Sequence, residues 1–384
     1  MTSDPGSYAR ATIVERKPQL IRQVLADNLY SSEIVAALEN FRNEIAALPI
    51  QSLVESAPDV PFWNSELAAY AKKTWLEVPW YFAETYFYRK LLEATHYFQP
   101  GEWQGRNPFQ KQKDKQMEAD VRRLAPVWQQ FADLEPARLF ETLLHSSLWG
   151  NRADLSNLTI AVQARSGLEA SQERHLILID HTDRVRDILS RQVQRVDFIC
   201  DNVGSDLLFD LALADFLISQ GWAKEIHLQL KNQPFFVSDA MPEDVTQTIA
   251  LLKSAPSEAL AALGSRLDDN LSAGRLVLET DPFWTSCLMF RQMPSALREQ
   301  LSTSALVLVK GDVNYRRLLD DRHWPHTTRM EDITSYFPSP FVALRTLKGE
   351  IMVGLAPGQA EELQADDPTW LINGKRGVIH LCGG

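Results

Sequence analysis

The sequence predicts an α/β protein, with an N-terminal helical domain packed on a C-terminal three-layer α/β domain whose sheet is mostly parallel. Two observations lead to this prediction. Apolar residues in the first part of the chain recur every three or four positions, as on one face of a helix. Beyond about residue 156, short apolar runs alternate with helical stretches, which is typical of parallel strands covered by helices on both faces. We therefore expect two domains, residues 1–155 and 156–384.

Two apolar stripes predict helices in the N-terminal domain. The first consists of Ile34, Leu38, Phe41, Ile45 and Leu48. The second consists of Leu67, Tyr70, Ala71, Trp75 and Val78.

The segment 75–98 is rich in aromatic residues, with nine of the chain's 36 within 24 positions. Pro79 interrupts it and suits the start of a new helix better than a helix interior. Aromatic residues at helical spacing usually form a core, and we expect that here. A second interpretation, compatible with the first, is that Glu84, Arg89 and some tyrosine hydroxyls face a cleft shared with the second domain.

Seven short apolar runs predict the strands of the sheet. They are Leu176–Ile179, Val196–Cys200, Ile226–Leu230, Leu276–Leu278, Leu306–Val309, Val342–Leu344 and Val378–Leu381. The main helical patterns between them are Asp206–Gln220, Val245–Leu263 and Tyr315–Asp320. In sheets of this kind ligands bind at the carboxyl ends of the strands, so the residues that follow the runs are the candidates for function.

Composition excludes several classes of protein. The chain has 39 Lys and Arg against 50 Asp and Glu, a net charge of −11, which argues against a general nucleic-acid binder. Its three cysteines are widely spaced, which argues against a disulfide scaffold or a thiolate zinc site. No apolar run is long enough to span a bilayer and the N-terminus does not resemble a signal peptide, so we expect a cytoplasmic protein without membrane partners. The oligomeric state is left open.

The strongest local motif follows the second predicted strand. There Asp201 and Asn202 precede Gly204, which allows a tight turn, and Asp206, which begins a helix. Carboxylate and amide oxygens are the hard ligands that magnesium or manganese prefer, and the adjacent helix N-terminus favours an anion such as phosphate. The alternative is that Asp201 or Asn202 is only a helix cap.

Asp239 follows the next predicted strand, after Pro234. We expect it at the same edge of the sheet, where it could meet Asp201 and Asn202 around one cation. It could equally cap the helix that follows.

Cations recur at predicted strand ends in this acidic chain, where a phosphate beside a divalent metal would need them. Lys310 precedes Gly311, Asp312 and Asn314, and further along the chain come Arg345, Lys348 and Lys375. Ordinary surface charge is the alternative for any one of them.

These residues resemble the damage-control phosphatase family. The matching motifs are Asp-Asn-x-Gly-x-acid-Leu at 201–207, Pro-Phe-Phe-Val-Ser-Asp at 234–239, Lys-Gly-Asp-x-Asn-Tyr-Arg at 310–316 and Arg-Thr-Leu-Lys at 345–348. The aromatic segment 79–89 resembles a signature of the branch described as metal-dependent sugar-phosphate phosphatases, and the likeness extends over roughly residues 15–384. Two departures are Asp206, where the family usually has Glu, and Phe235, where Trp is frequent.

The resemblance implies a helical domain on an α/β domain and assigns roles to particular residues. It implies a divalent metal (Mn, Ni, Co or Mg) held by Asp201, Asn202 and Asp239. It implies substrate contacts by Arg345, Lys348 and Lys375. Thr346 lies inside the same motif as Arg345 and Lys348, so we add it to the expected substrate-binding residues. We also add Lys310, Asn314 and Glu84 because of their positions in the motifs.

The resulting hypothesis is metal-dependent hydrolysis of a small phosphorylated metabolite, such as fructose 1-phosphate or fructose 6-phosphate. Metal and cations would neutralise the charge that develops during phosphoryl transfer. The nucleophile is either a water activated at the metal, with Asp239 or Asp312 as its base, or Asp201 itself through a phospho-aspartyl intermediate.

Two other functions compete with this hypothesis. One is a methyltransferase that uses S-adenosylmethionine to modify protein carboxylates, although the chain has no GxGxxG turn. The other is a non-catalytic interaction protein that binds through exposed aromatics of segment 75–98, which would form a large apolar patch.

Overall fold

The computed structural model describes residues 4, 6–45, 48–128, 131, 134–150 and 174–383. They form two compact units. The helical unit runs to Asp114 and also takes in Gln233–Ser238 and Thr285–Cys287. The sheet unit comprises Lys115–Asn232, Asp239–Trp284 and the chain from Leu288 onward. The predicted boundary between 1–155 and 156–384 lies outside the described residues.

The helical unit is built from the first helices of the chain. They are α1 (Tyr8–Ala11), a π-helical segment (Thr12–Arg16), α2 (Lys17–Asp27), α3 (Ser32–Glu44), α4 (Val60–Ala68) and α5 (Trp80–Ala94). The first predicted stripe is confirmed in α3 for Ile34, Leu38 and Phe41, which are buried. It is wrong for Leu48, which lies beyond the end of the helix and is exposed. The second is wrong as a single helix, because α4 ends at Ala68 and the chain reverses at Lys72, whose φ is +67°.

The aromatic segment 75–98 forms the interior of the helical unit. Trp75, Tyr81, Tyr86 and Phe87 are fully buried, and α5 begins directly after Pro79. The expectation of an aromatic core is therefore confirmed. The large apolar residues exposed on the described part of the chain are Leu29, Val35, Leu48, Val54 and Ile372. None of them is aromatic, so the exposed patch that an interaction protein would need is not found there.

The sheet unit contains all seven predicted strands. They are β1 (Ile177–Asp180), β2 (Val193–Ile199), β3 (Ala223–Leu230), β4 (Leu276–Thr280), β5 (Leu306–Lys310), β6 (Phe341–Thr346) and β7 (Gly377–Cys382). Their order across the sheet is β1-β7-β6-β5-β2-β3-β4, and every neighbouring pair is parallel except β6 and β7. The predicted fold class is confirmed.

The helices of this unit connect and cover the strands. They are α6 (Gln110–Trp128, which begins in the helical unit), α7 (Pro136–Trp149), α8 (Thr182–Leu189), α9 (Ser205–Ser219), α10 (Pro242–Lys253), α11 (Glu258–Ser272), α12 (Ser295–Ser302), α13 (Gly311–Leu318), α14 (Met330–Thr334) and α15 (Gln359–Asp366), with 3₁₀ turns at Pro282–Thr285 and Phe290–Gln292. No described helix has the length and apolar character needed to cross a membrane.

The strands read as continuous apolar runs because both faces of the sheet are buried. Phe198 and Leu308 belong to the apolar core on one face, whereas Ile199 and Val309 belong to the core on the other. In a parallel sheet, the residues that follow the strands all lie at the same edge. The residues that follow β2, β3, β5 and β6 are therefore expected close together.

The predicted helix over 245–263 is instead two helices, α10 and α11. Pro256 lacks the N–H that a continuous helix would require, and Ser257 caps the second helix by accepting from the Leu260 N–H at 3.5 Å.

Candidate functional site

The carboxyl edge of the sheet brings together the three residues expected to hold a metal. Asp201 and Asn202 follow β2 after one intervening residue, and Asn202 pairs with Asp239 in an isolated antiparallel bridge. The Ala240 N–H donates to the Asp201 carbonyl at 2.8 Å, and the Lys231 N–H donates to the Ala240 carbonyl at 3.0 Å. Backbone hydrogen bonds thus fix the segment that carries Asp239 against the end of β2.

Asp206, at the start of α9, joins this group. The Asn202 amide donates to Asp201 at 2.7 Å and to Asp206 at 3.1 Å. Burial, together with the neighbouring carboxylates of Asp239 and Asp206, holds the pKa of Asp201 well above its usual range. Burial also raises the pKa of Asp206 to about 6, against the opposing charge of Lys310.

Crowded, buried carboxylates are destabilised unless a cation compensates them. The donors at this edge are carboxylates and one side-chain amide, the oxygen ligands that Mg²⁺ and Mn²⁺ prefer. The chemistry of Asp201, Asn202 and Asp239 therefore fits a divalent metal.

Gly311 is required for the position of Asp201. The glycine has a φ of +83°, and a Cβ atom there would come within 2.8 Å of Asp201 Oδ1 and nearer still to the rest of the carboxylate. Any larger residue would displace this carboxylate.

Lys310, at the end of β5, is fully buried. Its ammonium donates to Ser147 Oγ and Asp210 Oδ1, both at 2.6 Å, and to the Ser147 carbonyl. Burial alone would lower the pKa of Lys310, but Asp210 and Asp206 raise it above its usual value. The expected substrate contact through Lys310 stays a prediction, and its ammonium is held by protein partners in this structure.

Arg345, expected to bind phosphate, has a fully buried guanidinium. It donates to Asp312 Oδ1 at 2.7 Å and to the Gly349 carbonyl at 2.9 Å, and it also donates to the Ile351 carbonyl. It lies over the ring of Tyr315, 4.2 Å from the centroid. Direct contact of Arg345 with substrate remains a prediction.

Asp312 is held by two guanidinium groups. Burial would raise its pKa, but Arg345 and Arg316 lower it below the usual value. The Arg316 Nε donates to Asp312 Oδ2 at 3.2 Å. An acid kept ionised in this way is a weak proton acceptor, which argues against Asp312 as the general base.

The other expected substrate residues fall in different surroundings. Thr346 is buried and donates to the Leu148 carbonyl at 2.9 Å, and buried Asn314 donates to the Lys310 carbonyl at 2.9 Å. Lys348 is half-buried, and its charge opposes the rise in the pKa of Asp206. Lys375 is exposed just before β7.

Glu84 belongs to the core of the helical unit. It forms a buried ion pair with Lys17, whose ammonium also lies 4.4 Å from the centroid of the Tyr88 ring. Arg89, in the same helix, binds Glu55 and Asp59 at 2.6 Å. A substrate role for Glu84 stays a prediction.

Sequence reasoning missed Lys231 and Asp120. Lys231 directly follows β3, and its Nζ lies 3.3 Å from Asp239 Oδ2. The rule that singled out Lys310 at a strand end would have found it. Asp120, in α6, accepts from the Ser205 N–H at 2.8 Å and so caps α9. This N–H was expected to be available to an anion, and no local sequence signal relates Asp120 to it.

A second cluster has ligand spacing. Among the described residues, Asp197, His227 and Glu279 bring three ligand atoms within 4.8 Å of one another. Both Asp197 oxygens already accept from Arg195, at 2.7 and 2.8 Å. Glu279 accepts from His227 at 2.8 Å and from Gln229 at 2.6 Å. We interpret this cluster as a buried polar network in which the guanidinium takes the place of a metal. His227 Nε2 makes no hydrogen bond among the described residues.

Comparisons with known proteins agree with the motifs. A family model described as the damage-control phosphatase ARMT1-like domain matches residues 12–363. Proteins named damage-control phosphatase ARMT1 from Mus musculus and Bos taurus are each 32% identical, over 99% of this chain and 97% of theirs. The Homo sapiens protein of that name is 30% identical, over 99% of this chain and 97% of its own length. A crystal structure of a DUF89 family protein from Pyrococcus horikoshii superposes with a TM-score of 0.49 and 15% identity over 97% of each chain.

Proposed function

The chain belongs to the ARMT1-like damage-control phosphatase family, and on that premise we propose that it is a metal-dependent hydrolase of small phosphomonoesters. A phosphatase role in metabolite repair follows from the family. The observation that carries the finer proposal is the meeting of Asp201, Asn202 and Asp239 at the carboxyl edge of the sheet.

Asp201, Asn202 and Asp239 would hold the metal. A divalent cation there supplies Lewis-acid polarisation of a phosphoryl oxygen and compensates charge in the transition state. Manganese, nickel, cobalt and magnesium all suit oxygen donors of this kind, and the activity screen below is to identify which of them supports activity.

The protein's own cations are proposed to orient the phosphate. Lys310 and Lys348 both act on Asp206, and Lys348 is the more exposed of the two. Lys348 is therefore better placed to reach a phosphoryl oxygen. Lys310 would contribute as a fixed buried charge. Arg345 binds the carbonyls of Gly349 and Ile351 and thereby holds the loop that carries Lys348.

The substrate class is proposed to be a sugar phosphate such as fructose 1-phosphate or fructose 6-phosphate. The support is the likeness of the motifs to the sugar-phosphate branch of the family. Asp206 and Phe235 are the positions at which this chain departs from the branch, so they are where its substrate preference would differ.

The test is a phosphate-release screen over sugar phosphates and nucleotides with each of the four metals. Wild type should release phosphate only with metal, and Asp239→Ala should reduce the rate by at least about 100-fold because it removes a metal ligand. Asp268→Ala is the matched control, since this half-exposed acid pairs with Lys253 on α10. Absence of metal-dependent release from every substrate, or full activity of Asp239→Ala, would exclude the proposal.

A further inference from the structure

Lys231 is in direct contact with Asp239, one of the three candidate metal ligands. Its Nζ lies 3.3 Å from Asp239 Oδ2 and donates to the Cys200 carbonyl at 3.3 Å. Both side chains are almost completely buried, each with 4% of its surface exposed. The pair is therefore shielded from the water that weakens ion pairs at a protein surface.

The backbone holds this contact in place. The Lys231 N–H donates to the Ala240 carbonyl at 3.0 Å, and the Ala240 N–H donates to the Asp201 carbonyl at 2.8 Å. Two consecutive backbone hydrogen bonds thus link Lys231, the residue after Asp239 and the chain just beyond β2.

A cation in this position has two opposite effects on the site. It compensates a buried carboxylate, which stabilises the folded chain. It also repels any second cation that shares the same carboxylate, because like charges at a few ångströms in a protein interior repel strongly. Lys310 cannot substitute for it, since its donors are directed to Ser147 and Asp210.

We propose that Lys231 is a resident counter-ion of Asp239, and that it competes with a divalent cation for this carboxylate and so lowers the metal affinity of the site. The inference rests on the proposed function, because it takes Asp239 as a metal ligand. In this role Lys231 is a positioning residue. It holds the Asp239 carboxylate in place, and its charge lowers the affinity of that carboxylate for a metal.

The experiment compares Mn²⁺ binding by calorimetry with thermal unfolding of the metal-stripped protein. Lys231→Met keeps the length and apolar stem of the side chain and removes its charge. We expect the Kd for Mn²⁺ to fall by about tenfold or more. The Tm of the metal-stripped protein should fall by about 5 °C, because Asp239 loses its counter-ion. Lys231→Arg keeps the charge, so its Kd should stay within about threefold of wild type.

Lys253→Met is the matched control, because this lysine is exposed and pairs with Asp268 outside the site. It should change neither the Kd nor, beyond about 1 °C, the Tm. An Mn²⁺ affinity of Lys231→Met equal to or weaker than that of wild type would overturn the inference.

If Lys231→Met does not fold, the double variant Lys231→Met/Asp239→Asn decides the matter. It removes both charges of the pair, so recovery of a folded protein supports the counter-ion role and failure to fold overturns it. The proposed function fails separately, when wild type binds no divalent cation or releases no phosphate with one.

Discussion

Gly311→Ala tests whether the position of the Asp201 carboxylate determines function. The new Cβ would lie within 2.8 Å of Asp201 Oδ1 and closer to the other carboxylate atoms, against an ordinary contact of about 3.5 Å. The nearest carboxylate atoms would have to withdraw by more than about 1 Å, and a misplacement of about 1 Å already costs on the order of 100-fold in rate. We expect that loss in metal-dependent phosphate release, with a Kd for Mn²⁺ raised by at least about tenfold.

Gly221→Ala is the control for backbone strain. Gly221 also has a positive φ, +66°, but a Cβ atom there would meet nothing within 4 Å. Both variants should lose about 1 kcal/mol of stability from the left-handed conformation. Only Gly311→Ala should lose activity and metal affinity. A folded Gly311→Ala protein with wild-type rate and Kd would refute the argument that this glycine is kept for Asp201.

Three further predictions concern metal, pH and helix capping. Asp239→Asn should abolish the stabilisation of the chain by Mn²⁺ in thermal unfolding, whereas Glu279→Gln should retain it; the reverse result would move the metal to the Asp197 cluster. Burial lowers the pKa of His380 to about 4, so the unfolded chain binds a proton between about pH 6.5 and pH 4 that the folded chain does not. The free energy of unfolding should therefore fall by about 3 kcal/mol as the pH drops through that window, and denaturation of His380→Gln at pH 7 and pH 4.5 should show a smaller fall. Asp120→Ala should lower the free energy of unfolding in chemical denaturation by about 1–2 kcal/mol. Asp120→Asn should lower it less, since asparagine keeps an acceptor for the α9 N-terminus; equal losses would show that Asp120 does not stabilise the chain as a helix cap.

The strands were predictable because burial on both faces of a sheet leaves an uninterrupted apolar run, as in β5. Helix boundaries were less so. The apolar spacing continues from α10 into α11, and the break is marked by Pro256 and the capping Ser257. Similarly, Trp75 and Val78 are buried and belong to an apolar stripe with helical spacing, yet the segment is not one helix. Burial depends on tertiary packing and does not require a continuous helix.

The candidate site was predictable in position and less so in contacts. Asp201 and Asp239 could be placed at one sheet edge, because that edge collects the residues after parallel strands. The direction of a side chain within a strand is a different question. The side chain of Arg345 lies on the same face of β6 as those of Phe341 and Ala343. On that face it contacts Tyr315 and Asp312. Pairings between distant elements, such as Asp120 with the start of α9, leave no pattern in the local sequence.

Under the proposed function, the local charge gives the metal a role in substrate binding as well as in the chemistry. Asp201 is acted on by the carboxylates of Asp239 and Asp206 and by the ammonium groups of Lys231 and Lys310. With Asp210, which pairs with Lys310, and Lys348, which acts on Asp206, four carboxylates face three lysines when all are ionised. This negative balance would repel a phosphate dianion. A divalent cation reverses this balance, so a phosphomonoester should bind after the metal. An acidic protein can in this way bind an anion. Once the metal is bound, the electrostatic potential in the site is positive although the net charge of the chain is negative.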